Sequence, residues 1–457
     1  MRREALYSGR NLSMTQEHQQ KIDRVSSQIQ AAVREGRPVK FQKKSVRHFV
    51  PNPYADFSDN KMIDLRNLDQ IISIDPKEQV CVAEPGVTFE DLVQQTLKHN
   101  LIPACVSELK TITIGGAVSG CSIESMSYHR GGFHDSCTEY EIIDGQGNIL
   151  TCAPDRDTEL FHMIHGSYGT LGVLTKLTFK LLPAKPYVRM EYRTYDNFDA
   201  YWADLSERCT VGDYDFIDSI IHGPKQFVIC LGNMVDTAPY LSDYSWLNIF
   251  YQSTMQKTED YMTVPQYFFR YDTECHWLTK TVPPLQNKAV RAVLGKAFLG
   301  SDNLIKWSGV LAPVLKLKRR QDVVVDVFIP SRNFGSFVDW YGVNFNFWPL
   351  WIVPYKVQEL YPWISEDHKE RMSETFMIDC AVYGKPNNDP QVDFSEVLEK
   401  KVYELGGIKT LISRNHYGED EFWDIYNKPM IEKMKQRIDP NGVFQDLYDK
   451  FAPARYR

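Results

Sequence analysis

The sequence predicts an α+β protein with two domains, the second inserted after the first. Strand-like runs and helical segments follow one another closely from residue 39 to residue 182. After Pro183 the character of the chain changes, and long aromatic stretches begin. The 457 residues, of which 43% are hydrophobic, are enough to build a core in each domain.

The first helix is predicted over residues 15–34, where Ile22, Val25, Ile29 and Val33 recur at helical spacing. A second helix is predicted over residues 88–100, with Thr88 as its N-cap. A third is predicted over residues 421–434. Strands are predicted at 39–41, 70–74, 80–83, 139–143, 148–152, 173–182, 323–329 and 376–382.

These elements suggest three parts. We expect a cofactor domain at residues 26–190, a substrate domain at 191–415, and a C-terminal return to the first domain at 416–457. No internal repeat or low-complexity linker interrupts the sequence.

Composition excludes several classes of protein. A net charge of −7 argues against nucleic-acid binding. The 9 cysteines are scattered singly, without a Cys-x-x-Cys pair, so we expect a reducing compartment, a cytoplasmic location and no metal site. The N-terminus is polar, and the most apolar stretch, 345–354, is shorter than the roughly 20 residues of a membrane span. We therefore expect that this chain is not an integral membrane protein.

The most informative segment is TIGGAVSGCSIES, from Thr113 to Ser125. Its three glycines allow the backbone to approach a flat ligand closely, and free N–H groups can then donate to phosphate or to ring carbonyl oxygens. A compact loop without a ligand explains the same glycines. A second segment, GSYGTLGV at residues 166–173, leads into an alternating strand. Neither a complete G-x-G-x-x-G motif nor a Walker motif is present, so a nucleotide would need another fold.

These segments resemble the FAD-binding PCMH domain of the vanillyl-alcohol-oxidase superfamily, which carries a G-G-x-x-x-G loop, a D-G-x-G hairpin and a G-x-x-G strand entry in this order. TIGGAVSGCSIES, YEIIDGQG and SYGTLGVLTKLTFKLLPAKPYV are similar to delta-24 sterol reductases of the Diminuto/seladin family. VVVDVFIP, FWPLWIVPYK and DEFWDIYNKP extend the similarity over most of the chain. LKTITIGGAVSG with SIES is also similar to actinobacterial flavoproteins that reduce 10-methylene fatty-acyl chains.

The resemblance implies a PCMH-type two-subdomain FAD fold with an inserted α+β cap domain. It implies FAD and the reduction of an isolated C=C bond in a lipid. We expect the FAD to be non-covalent, because His48 does not align clearly with the His through which many oxidases of the superfamily attach flavin. Because no second nucleotide fold is apparent, we expect NADPH to act as a transient reductant. The implied FAD-binding residues are Lys44, Ser45, Thr113, Ile114, Gly115, Gly116, Ala117, Val118, Ser119, Gly120, Cys121, Ser122, Ile123, Glu124, Ser125, Gly169, Thr170, Leu171, Gly172 and Val173.

The sequence departs from the family pattern at two places. The first pyrophosphate loop of the family is glycine-rich, whereas the matching stretch here is KKSVRH, residues 43–48. Cationic side chains there either replace backbone donors or form a solvated turn. A His that follows the IES motif in the sterol reductases is Tyr128 here, with His129 beside it.

An isolated double bond needs a proton as well as a hydride, and the proton must come from a well-placed acid. Glu124 and Tyr128 are the predicted catalytic residues, although the favoured interpretation of Glu124 taken alone is a structural hydrogen bond to the backbone. Other candidates are Tyr271, His276, His416 and Tyr417.

Two segments of the substrate domain have two interpretations each. The aromatic stretch 345–351 lines a lipid channel or forms core sheet. Lys316, Lys318, Arg319 and Arg320 form a membrane-surface contact or a solvated face. The alternative function is an FAD-dependent oxidase or dehydrogenase of an alcohol, lactone or sugar.

Overall fold

The described residues form two large β-sheets and a small two-stranded parallel sheet, and the chain passes from the first large sheet to the second between Pro183 and Tyr187. The computed structural model describes residues 2–44, 60–277, 280, 283–301, 303, 322–372, 374 and 376–451. Helices and strands both contribute substantially, so the predicted α+β class is confirmed.

The strands are β1 Val39–Gln42, β2 Lys61–Asp64, β3 Ile71–Asp75, β4 Val80–Ala83, β5 Leu101–Pro103, β6 Cys137–Ile143, β7 Ile149–Cys152, β8 Val173–Pro183, β9 Tyr187–Tyr195, β10 Phe216–Gly223, β11 Gln226–Val235, β12 Glu259–Thr263, β13 Val323–Pro330, β14 Leu350–Lys356, β15 Phe376–Lys385 and β16 Ile408–Lys409. The helices are α1 Arg2–Glu35, α2 Phe89–Thr96, α3 Ile114–Ser119, α4 Ser127–Arg130, α5 Thr158–Ile164, α6 Phe198–Val211, α7 Phe250–Ser253, α8 Val264–Phe268, α9 Lys288–Phe298, α10 Phe334–Trp340, α11 Glu366–Met372, α12 Phe394–Glu404, α13 Glu419–Ile425, α14 Lys428–Ile438 and α15 Leu447–Phe451.

The first sheet has the order β3-β4-β8-β6-β7, and β5 also pairs with β8. Its long central strand β8 alternates between buried and partly exposed residues, as the period of two in its sequence predicts. The second sheet has eight antiparallel strands in the order β12-β9-β11-β10-β14-β15-β13-β16. Its strands β10 and β14 are buried along almost their whole length.

The N-terminal helix and the C-terminal segment pack together on the first sheet. Ile22, Val25 and Ile29 of α1 share a core cluster with Val443 and Phe444. The Val39 N–H donates to the carbonyl oxygen of Val443 at 2.8 Å. Helix α1 and the segment around Phe444 therefore pack together, while the boundaries of the three parts stay a prediction.

Most predicted elements lie within a few residues of the observed ones, and β4 matches residue for residue. Thr88 caps α2 as predicted, because its side chain accepts a hydrogen bond from the Asp91 N–H. The single helix predicted over residues 421–434 is wrong. Two helices, α13 and α14, occupy this region, because Asn427 caps α14 and Pro429 occupies its first turn.

The α1 helix is held to the first sheet by a buried charge cluster around His18. Both ring nitrogens of His18 lie 2.8 Å from carboxylates, Nδ1 from Glu84 and Nε2 from Glu141. Burial lowers the pKa of His18, but the hydrogen bonds to Glu141 and Glu84 outweigh this effect, so the pKa is raised above its ordinary value. The stabilisation is therefore complete below a pH of about 6.5 and is lost as the pH rises through the raised pKa.

We expect His18→Gln to speed hydrogen exchange of the α1 amides by roughly 10- to 100-fold at pH 6, because a hydrogen bond to a charged group is worth about 1.5–3 kcal/mol. The difference should shrink at high pH, where the wild-type imidazolium loses its proton. Gln16→Ala, at an exposed position of the same helix, is the control. Equal exchange in wild type and His18→Gln at pH 6 would show that this cluster does not hold α1.

Candidate active site

A cavity of about 680 Å³ opens between the two sheets. This volume lies within the roughly 300–1,000 Å³ of small-molecule sites. One wall is formed by the glycine-containing segments of the first domain, and another by one face of β13, β14 and β15. We call these the glycine wall and the acid wall.

The glycine wall begins at Thr113, whose side chain accepts a hydrogen bond from the Gly116 N–H at 3.3 Å and so caps α3. The segment is therefore a short helix rather than the predicted loop. Gly115 lies against Pro85, where an added Cβ would come within 2.4 Å of the proline Cβ. Any larger residue at position 115 would push this wall away from Pro85.

The second glycine segment is joined to the first by backbone hydrogen bonds. The Tyr168 N–H donates to the Ser119 carbonyl oxygen at 2.9 Å, and the Gly166 N–H donates to the carbonyl oxygen of Val118 at 3.3 Å. Gly169 has a φ of +73°, a conformation that favours glycine. The two segments therefore form one continuous surface on the cavity.

Some of the predicted cofactor residues line the cavity and others do not. Within α3 the reason is that successive side chains of a helix point in different directions. Those on the cavity are Lys44, Thr113, Gly115, Gly116, Ser119, Gly120, Cys121, Ser122, Ile123, Gly169, Gly172 and Val173. Those away from it are Ile114, Ala117, Val118, Glu124, Ser125, Thr170 and Leu171. Ser45 lies outside the described residues.

Basic side chains line another part of the cavity. Lys43, Lys44 and Arg66 contribute to its surface. The Lys44 ammonium lies 2.8 Å from the Asp69 carboxylate, and this hydrogen bond raises the pKa of Lys44. Cationic side chains at this place suit a diphosphate.

The cavity fits FAD in its chemistry. The glycines allow the main chain of the glycine wall to pack closely against a flat ring, and the cations suit the diphosphate, whereas the N–H groups of Gly115, Gly116 and Gly120 already donate within the protein. The Ser107 hydroxyl is buried on the cavity and has no hydrogen-bond partner within the described part of the chain. Such an unsatisfied buried group is expected where a ligand binds.

The acid wall follows from the register of β13 and β15. Val324 pairs with Tyr383, Asp326 with Ala381, and Phe328 with Asp379. Paired residues point to the same face of a sheet, and so do residues two apart in one strand, so Asp326 and Asp379 share a face. Both line the cavity. This pair was not predicted from the sequence. The feature that points to it is a single Asp within each of two apolar strand segments, VVVDVFIP and FMIDCAVYG.

A third carboxyl and an imidazole complete the acid wall. His276 Nε2 lies 3.0 Å from Glu108 Oε1. The His276 ring stacks on Tyr383, with centroids 4.0 Å apart and planes only 3° from parallel. The Tyr383 hydroxyl donates to Asp326 Oδ1 at 2.7 Å. His276, a candidate of the sequence analysis, therefore lies at the centre of the wall.

The crowding of acids changes their ionisation. Burial raises the pKa of Asp326 to about 6. Burial, followed by the negative charges of Asp326 and Glu108, raises the pKa of Asp379 well above its usual range. Like charges crowded in a low dielectric do not all ionise, so this arrangement favours the protonated form of Asp379.

The two predicted catalytic residues do not reach the cavity. Glu124 Oε1 lies 3.1 Å from the Arg270 guanidinium, which also lies 3.0 Å from Asp218. Burial raises the pKa of Glu124 to about 7, against the opposing charge of Arg270. The Tyr128 hydroxyl donates to the carbonyl oxygen of Tyr214. Both side chains are engaged inside the protein.

The other candidates divide in the same way. Tyr271 stacks on His276 from behind the acid wall, with centroids 5.0 Å apart. His416 and Tyr417 pack around Glu399 and do not line the cavity. Of the aromatic stretch 345–351, Trp351 lines the cavity, whereas Phe345 and Leu350 are buried in a core cluster.

Comparison with known proteins agrees with this geometry. Residues 20–153 match the family model described as "FAD binding domain". A Delta(24)-sterol reductase of Homo sapiens is 24% identical over 405 residues, which is 85% of this chain and 77% of the relative. The corresponding enzyme of Pisum sativum is 24% identical over 434 residues, 86% of this chain and 76% of the relative. Cytokinin dehydrogenase 9 of Oryza sativa subsp. japonica is 30% identical over 140 residues, 30% of this chain and 27% of the relative. The resemblance to PCMH-type flavoproteins and delta-24 sterol reductases is confirmed.

The buried position of Arg270 predicts a stability effect. Arg270→Met leaves two buried carboxylates without their cation, so we expect a loss of about 3–5 kcal/mol. Glu124→Gln should cost less, because Arg270 keeps Asp218, and it should retain both flavin and turnover. Thermal unfolding, flavin absorbance and turnover per bound flavin measure these effects. A Glu124→Gln protein that binds flavin but has lost turnover would place Glu124 in the chemistry.

Proposed function

We propose that this chain, an oxidoreductase of the FAD-binding family, reduces an isolated carbon–carbon double bond in a lipid, with NADPH as reductant. The lipid is a sterol with an unsaturated side chain or an acyl chain with a methylene branch. The observation that carries the proposal is a single cavity in which a glycine wall meets an acid wall.

FAD, when bound, accepts electrons from the nicotinamide and supplies a hydride to the substrate. The glycine wall would pack closely against the ring system, the Ser107 hydroxyl would donate to it, and the basic side chains would hold the diphosphate. The residues in these roles are Lys43, Lys44, Arg66, Thr113, Gly116, Ser119, Gly120 and Gly169.

The acid wall supports reduction rather than oxidation. An isolated alkene has no carbonyl group to stabilise negative charge, so its reduction needs a proton donor. Oxidation of an alcohol needs a base that accepts a proton instead. Carboxyls whose pKa is raised by burial, such as that of Asp379, are suited to donate.

An apolar substrate suits the remaining surface of the cavity. Val324, Phe328, Trp351 and Ile412 line it beside the acids. Such a surface stabilises a hydrocarbon chain by removing it from water. The relatives that align with most of this chain include Delta(24)-sterol reductases, which agrees with a lipid substrate.

The second candidate is an FAD-dependent oxidase or dehydrogenase of an alcohol, lactone or sugar. The match to a cytokinin dehydrogenase favours it, but that match covers 30% of this chain. The sterol reductases align over 85% and therefore extend well beyond the FAD binding domain.

We also propose that the enzyme fetches its lipid from a membrane surface. Within the described residues, no helix combines the length and apolarity needed to cross a bilayer. The basic group Lys316, Lys318, Arg319 and Arg320 lies outside the described residues, and its sequence suits attraction to anionic lipid.

The reductase proposal predicts that NADPH bleaches the yellow flavin of the purified protein without oxygen. Adding a Delta(24)-sterol should then restore the yellow colour and yield the reduced sterol. If NADPH leaves before the lipid enters, double-reciprocal plots of steady-state rates should give parallel lines.

Two results would contradict this prediction. Flavin that stays yellow with NADPH but is bleached by an alcohol, with peroxide formed in air, would support the oxidase. Intersecting double-reciprocal lines would contradict the hypothesis that the nicotinamide leaves before the lipid enters, but they would not contradict the reductase function.

The membrane proposal predicts that reversing the charges of Lys316, Lys318, Arg319 and Arg320 to Glu weakens binding to liposomes that contain anionic lipid. Each basic residue near such a surface is worth about 1 kcal/mol, so the loss should exceed 100-fold. Liposome co-sedimentation measures it. Unchanged binding would exclude this segment, and neutral liposomes are the control.

A further inference from the structure

The acid wall contains three carboxyls, and their contacts differ. The Asp326 carboxyl accepts a hydrogen bond from the Tyr383 hydroxyl at 2.7 Å. Glu108 lies 3.0 Å from His276 Nε2. Asp379 Oδ1 is buried and has no hydrogen-bond partner among the described residues. Asp379 Oδ1 is therefore a carboxyl oxygen that no neighbouring side chain engages, while the backbone N–H of Cys380 donates to the same carboxyl.

Asp379 lines the same cavity as the glycine wall. It lies on the interior strand β15, opposite Phe328 of β13 and Val353 of β14. Only 2% of its surface is exposed, so water does not compete for its proton. An uncompensated buried carboxylate is costly, and the neutral acid is the form such a site favours.

We propose that Asp379 is the catalytic residue that donates the proton to the substrate double bond. The proposal rests on the reductase function and names the acid within that site. Asp326 and Glu108 act as positioning residues, because their negative charge keeps the proton on Asp379. Tyr383 and His276 hold these two carboxyls through the hydrogen bonds given above.

The step balances as a two-electron reduction. The O–H bond of the Asp379 carboxyl breaks, and its proton forms a C–H bond at one alkene carbon. A hydride from the reduced flavin forms the C–H bond at the other carbon, so the alkene is reduced and the flavin is oxidised. Asp379 remains as a carboxylate and takes a proton from water before the next turnover.

The two half-reactions separate this role from the reductase function itself. In Asp379→Asn, anaerobic NADPH should bleach the flavin at the wild-type rate, whereas reoxidation by a Delta(24)-sterol should slow by at least about 100-fold, the usual effect of losing a general acid. Reoxidation at the wild-type rate would overturn the proposal for Asp379. Failure of NADPH to bleach the wild-type flavin would instead overturn the reductase function.

The proton can also be observed without turnover. Infrared spectroscopy of the wild-type protein at neutral pH should show the C=O stretch of a protonated carboxyl that Asp379→Asn removes. Asp339→Asn, at an exposed position of α10, is the matched control and should change neither the band nor the rates. A spectrum in which Asp379→Asn leaves the band unchanged would assign the proton to another acid.

The neighbouring charges give a further readout. Reoxidation by the sterol should slow as the pH rises through the pKa of the donor, which faces Asp326, Glu108, Tyr383 and His276. Asp326→Asn removes one negative charge, so it should lower the pKa of Asp379, and reoxidation should then begin to slow at a lower pH than in the wild type. If reoxidation slows at the same pH in both proteins, the two carboxyls are not coupled.

Discussion

Like charges confined in an apolar wall are the constraint on which the candidate site depends. Asp326 and Asp379 lie on one face of a buried antiparallel pair, and Glu108 approaches from the other domain. Three carboxylates in a low dielectric repel one another strongly, so the group is stable when part of it stays protonated. The packing therefore favours partial protonation of these acids, which line the same cavity as the glycine wall.

The acid wall is supported from behind by a second charge cluster. Asp218 accepts hydrogen bonds from the Trp351 indole N–H at 2.7 Å and from the Tyr271 hydroxyl at 3.2 Å, and it pairs with Arg270. Trp351 and Tyr271 both pack against the His276 ring. Arg270 also lies over the Tyr267 ring at 4.2 Å, so its desolvation is compensated by aromatic faces as well as by carboxylates. Glu124 belongs to this support rather than to the cavity.

The two domains contribute different chemistry to one cavity. The first domain supplies main chain, hydroxyl groups and cations, which suit a dinucleotide. The second supplies acids, aromatic rings and an apolar surface, which suit protonation of a hydrocarbon. A binding function alone would not require buried acids facing the glycine wall, since each of them costs stability.

Local patterns in the sequence determined the elements and the family. The glycines of 113–125 and 166–173, the cap at Thr88 and the alternation in β8 act within a few residues, so they can be identified without a structure. The tertiary structure decided which of those residues reach the cavity, because a single helical turn directs Ile114, Ala117 and Val118 into the core. It also decided the acid wall. Asp326 and Asp379 are distant in sequence and become neighbours through strand register, and Glu108 and His276 meet them only when the two sheets enclose one cavity.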